Sequence, residues 1–189
     1  MKIFRNHIKK NFIAALLFSA AILLWGCGSD NTPLIPQIDR TEWPSVKAEN
    51  IQTIVSDSGI VKFKVNAPLY EVFDKVKEPY WDFKKGLKLQ RYDAQNQVDS
   101  EIECNYARYF EETKLWQLED KVVATNINNE TFETELLFWD QKAEKLYTDK
   151  MVRITKKDEQ IICYGFESNQ NFTIYTFEKV QAILPMNLD

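Results

Sequence analysis

Between Tyr80 and Leu184 the chain contains no proline, and Gly86 and Gly165 are the only glycines in that stretch. Proline lacks the amide donor that a β-ladder needs and is kept out of central strands, so this run suits a continuous sheet. The apolar residues follow the matching period of two. Leu87-Lys88-Leu89-Gln90-Arg91-Tyr92 alternates throughout, and Ile60–Val65 alternates near its end. Ile102, Cys104 and Tyr106 share one face opposite Glu101, Glu103 and Asn105, and Met151–Thr155 and Phe172–Phe177 repeat the theme. Polar tips at Asp93–Gln97, Asn126–Glu130 and Lys156–Glu159 supply turn residues that tolerate positive φ. Leu69–Lys77 and Glu111–Leu118 come nearest to helical spacing, and neither supports a substantial helix. The expectation is an all-β domain: one open or rolled antiparallel sheet of sandwich or jelly-roll character.

The ends of the chain set its compartment. Lys2, Arg5, Lys9 and Lys10 form a basic start, Phe12–Trp25 is apolar, and Gly26 precedes Cys27. That is the layout of a secretory signal, and the apolar run falls short of the ~20 residues that span a bilayer core as a helix. Leu24-Trp25-Gly26-Cys27 resembles a bacterial lipobox. This predicts a signal peptide over 1–26, removed as the Cys27 thiol and new amino terminus are acylated, since several acyl chains anchor a protein stably where one does not. A plain signal or a retained membrane helix is the alternative. Residues 27–44 hold three of the six prolines and read as an extended tether. Residues 45–184 then form the domain, and 185–189 a tail.

Loss of residues 1–26 removes four of 24 basic side chains and none of 28 acidic ones, leaving a net charge of −8. Phosphate binding needs a basic face, so nucleic acid is excluded as a partner. The single histidine, His7, lies in the removed segment, so the mature chain offers no imidazole for a triad or a zinc site. Neither a nucleophile elbow nor a glycine-rich phosphate loop is present. An enzyme, a metal and a cofactor are therefore not expected. Cys104 and Cys163 remain: bridged, they would close a long loop and stabilise the fold by roughly 4 kcal/mol; unbridged, they would serve as two small buried thiols.

From Trp116 onward the pattern becomes particular. Leu118-Glu-Asp-Lys-Val122-Val-Ala124-Thr-Asn126 is followed by Phe132-Glu-Thr134-Glu-Leu-Leu137-Phe-Trp139-Asp140, then Leu146-Tyr-Thr148-Asp149-Lys-Met-Val152-Arg-Ile154. With Ile102–Tyr109 upstream and Ile161–Phe166 downstream, these stretches resemble the LptC family, a periplasmic component of the lipopolysaccharide-export ABC transporter. The resemblance covers residues 45–180. It implies the open, twisted β-jelly-roll of the LptA/LptC (OstA-like) type. Asp120, Asn129 and Cys163 stand at or near places where the family carries glycine, and Cys27 stands in for a membrane helix that other members keep.

Phe132, Thr134 and Leu136 fall on even numbers while Leu137 and Trp139 fall on odd ones, which predicts a β-bulge that bends the sheet. Ala67–Tyr70, Ala107–Tyr109 and Leu137–Trp139 recur at intervals of about 30–40 residues, each pairing a small or apolar residue with an aromatic one. A bent, unclosed sheet leaves an apolar groove and two edges. Phe63, Val65, Leu89, Ile102, Tyr106, Leu118, Ala124, Phe138 and Ile154 are expected to line that groove and shield lipopolysaccharide acyl chains. The resemblance further implies lipid received from the inner-membrane ABC transporter and passed to an LptA-type bridge protein. That handover would use strand addition at an edge within Asn171–Leu184, from a lipid-anchored position on the periplasmic face of the inner membrane. The competing expectation is a surface lipoprotein that binds glycan or protein.

Overall fold

A computed structural model describes residues 43–186 of the protein. Cys27, the expected signal segment, the expected tether up to residue 42 and residues 187–189 lie outside the described residues. Eleven strands follow in chain order: β1 (Val46–Asp57), β2 (Ile60–Phe73), β3 (Tyr80–Phe83), β4 (Leu87–Tyr92), β5 (Val98–Cys104), β6 (Tyr106–Phe110), β7 (Leu115–Asn126), β8 (Thr131–Asp140), β9 (Lys145–Thr155), β10 (Glu159–Asn169) and β11 (Tyr175–Pro185). All join one antiparallel sheet, and no helix occurs among the described residues. The expected all-β jelly-roll class is the class observed.

β2 pairs with both β3 and β4, and β7 pairs with both β5 and β6. Each of those short pairs is therefore a single run broken in the middle. The eleven strands make nine long runs in a simple meander, with β1 and β11 as its two edges. The connections follow from local chemistry. Asp93 Oδ1 accepts from the amides of Gln95 and Gln97, Asn126 Oδ1 from Asn128 and Glu130, and Asp140 Oδ1 from Lys142 and Ala143. Each carboxylate or amide mimics a backbone turn and starts the next strand.

One line of irregularities crosses the runs. It passes through Asn50 in β1 (φ 51°), Gly86 between β3 and β4 (74°), Asp120 and Lys121 in β7 (58° and 53°), and Gly165 in β10 (65°). The ladder slips beside these points, between Glu119 and Val122, between Glu133 and Phe138, and between Tyr164 and Phe166. The second of these is the bulge that the parity change predicted. Residues at positive φ turn the strand and raise its local twist, so the whole meander folds across this line into two facing layers. The ring of Phe63 in β2 lies 4.9 Å from that of Trp139 in β8, although three runs separate the two strands in the sheet.

The core lies between the layers. On one inner face, register aligns Val65, Leu89, Ile102, Ala124, Phe132, Ile154 and Ile161 across seven successive runs. On the other it aligns Trp81, Tyr109, Trp116, Trp139 and Leu146. All of these are buried except Trp81, which is partly so.

Candidate functional site: an open groove between two layers

The aromatic row meets the aliphatic row around a cavity of about 810 Å³. Phe63, Val65 and Leu89 form one wall, and Trp81, Tyr109, Trp116 and Trp139 form the other. The rings make a continuous series: Trp81 to Tyr109 at 4.9 Å, Tyr109 to Trp116 at 4.7 Å, Trp116 to Trp139 at 6.3 Å. Lys62, Arg91, Asp93, Gln141, Glu144 and Gln170 stand at its polar rim. An apolar interior with a charged, mixed-sign mouth suits a ligand whose chains enter and whose polar part stays in water.

Five of the nine expected groove residues belong to the single aliphatic row: Val65, Leu89, Ile102, Ala124 and Ile154. Val65, Leu89 and Phe63 line the cavity. Ile102 lines a narrower void beside it, together with Leu146, Ser100 and Gln170. Leu118, Ala124 and Ile154 are wholly enclosed between the layers and pack as core.

Tyr106 and Phe138 face the other way. Asn105, whose amide donates to Asp120 O, breaks the run between β5 and β6 and reverses the alternation. Cys104 therefore points inward, as do Ala107 and Tyr109, while Tyr106 turns out toward Asp82 and Arg108. Burial, reinforced by Asp82, pushes the Tyr106 phenol up to about 12. Phe138 lies between the inward Leu137 and Trp139 and stacks on Tyr147 at 5.3 Å on the outer face. The sequence reading missed Trp81, Tyr109, Trp116 and Trp139 as groove residues. Their signal was present in the aromatic residues recurring near Ala107–Tyr109 and Leu137–Trp139.

Cys104 and Cys163 are free, buried thiols. β7, β8 and β9 stand between their strands in the sheet. Both thiols are unbridged in this structure, so the bridge weighed from the sequence is not formed here. Burial raises both thiols, Cys104 to about 11.

The edges complete the site. β1 and β11 each pair on one side only and expose most of their residues. On β11, Val180, Ile183 and Leu184 present apolar side chains to solvent.

The sequence profile described as "Lipopolysaccharide-assembly, LptC-related" matches residues 12–181, which is most of the chain. No curated protein gives a significant match.

Proposed function

The chain belongs to the LptC-related family of lipopolysaccharide assembly, and on that premise we propose that its interlayer groove carries the acyl chains of lipopolysaccharide between two partners. Family membership gives the protein a part in lipopolysaccharide transport at the periplasmic side of the inner membrane. The finer reading is that lipid arrives from the ABC transporter, rests against Phe63, Leu89, Trp116 and Trp139, and leaves for an LptA-type bridge that adds a strand to β11. No bond is made or broken in such a passage; its driving force comes from the transporter. Cys27, cleaved and acylated, would tether the domain to the inner membrane.

One observation carries this reading: an apolar cavity of about 810 Å³ lies between two layers that do not close, with a strand paired on one side only at either edge. A photocrosslinking side chain at Leu89 should label lipopolysaccharide, while the same group at Phe138, on the outer face, should not. Equal labelling at both positions counts against the groove. Labelled palmitate on the native chain, absent from Cys27→Ser, tests the anchor, and membrane fractionation tests its sorting.

A further inference from the structure

The cavity is lined by residues of β1 to β4 and β6 to β8 and by none of β9 to β11, and Gln170, in the turn after β10, is part of its lining. The segment Asn169–Ile174, between β10 and β11, leaves one layer and reaches the other. Ser100 Oγ in β5 donates to Gln170 O at 3.3 Å, and Asn126 Nδ2 at the end of β7 donates to Phe172 O at 2.9 Å. Phe172 itself is fully enclosed. Its ring sits 5.1 Å from Phe132 and 6.4 Å from Phe166, in an aromatic cluster separate from the row that lines the cavity. The narrow void lined by Ile102, Leu146, Ser100 and Gln170 adjoins the strap where Ser100 clasps it.

Resting on the acyl-chain reading above, we propose that Phe172 is a plug standing where a lipid chain would run, and that cargo displaces it to move from the open cavity toward the β10–β11 side. Three features favour displacement over a fixed wall. Phe172 adopts φ 55°, a left-handed conformation unfavourable for a bulky side chain, so the backbone relaxes when the strap leaves. The clasp across the layers consists of two neutral hydrogen bonds, both replaceable by water. An entering acyl chain restores the apolar contacts that the departing ring gives up, so the exchange is close to balanced. The turn is also braced within itself. Asn169 Oδ1 accepts from the amides of Thr173 and Ile174, and Phe172 N donates to Asn169 O. The loop can therefore swing as a unit, with Ile174 already 73% exposed.

The test uses the full-length chain with purified lipopolysaccharide. Hydrogen exchange read by mass spectrometry should show the 169–175 amides exchanging at least tenfold faster when lipid is bound. Phe172→Gly, which suits the backbone and removes the ring, should bind fluorescent lipopolysaccharide at least threefold more tightly than the native chain. A strap that keeps its protection while Leu89 crosslinks to lipid overturns the gate and leaves the groove standing. Weaker binding by Phe172→Gly also overturns it, since that is what a purely structural ring would produce. Absence of crosslinking at Leu89 removes the groove reading and the gate with it.

Discussion

At Gly86 a first side-chain carbon would stand 2.1 Å from the carbonyl oxygen of Cys104 and 2.9 Å from Asn105 Cα, both backbone atoms of the neighbouring run. At Gly59, in the β1–β2 turn, the same carbon meets nothing within 4 Å. Both residues have positive φ, so alanine costs about 1 kcal/mol at either. At Gly86 the collision adds several times that. Urea melts should rank Gly86→Ala far below Gly59→Ala; equal losses would mean that the runs do not approach closely at the bend. A different kind of sensitivity resides in Glu71. It is buried on the outer face, with Lys84 at 2.7 Å and Lys47 at 3.5 Å. The hydrogen bond from Lys84 is the main cause that holds its pKa below 4.5, against the opposing effect of burial. A carboxyl depressed in the folded state stabilises above its unfolded pKa, and that contribution is lost as pH falls through the lower folded value. Glu71→Gln should therefore lower stability at neutral pH by about 1 kcal/mol. It should also flatten the decline below pH 4.5. An acid limb parallel to that of the native chain would count against this assignment.

Among elements, β11 has the least to lose from substitution and the most to offer a partner. Val180 and Ile183 are 44% and 58% exposed, so charging them removes little buried area. The double change Val180→Glu, Ile183→Glu should shift the thermal midpoint by no more than a few degrees while abolishing co-purification with a strand-adding bridge protein. Retained co-purification would move the docking edge to β1. Strand positions were legible because alternation survives within each half-run, as in Leu87–Tyr92, and the turns were legible because Asp93 and Asn126 sit where an Asx turn requires them. The bends were only partly legible. The parity change after Thr134 exposed one of them. Asp120 and Lys121 hold positive φ without the glycine that usually announces it, and nothing local marks Asn105 as a break. Tyr106 went to the wrong face for that reason. Inner faces followed from periodicity, whereas the meeting of Phe63 with Trp139 depends on how far the sheet folds over, which no single strand encodes.

Taken whole, the molecule is electrically lopsided. Residues 43–92, which supply β1 to β4, carry nine basic and six acidic side chains, while residues 93–186 carry ten and eighteen. The β1 side is thus steered toward acidic surfaces and the β11 side toward basic ones. Raising salt from about 50 to about 500 mM should slow association with an edge-docking partner several-fold and leave dissociation nearly unchanged. A dissociation rate that responds instead would point to ion pairs within the contact itself. The meander has one more consequence, in the time domain. Because each run pairs with the run made just before it, the sheet can assemble hairpin by hairpin, with loop closure kept short at every step. A chain threaded amino terminus first through a membrane pore can therefore begin to fold as it emerges. The contact of Phe63 with Trp139 must wait for β8, and those of Ser100 and Asn126 with the strap must wait until the last hairpin has arrived.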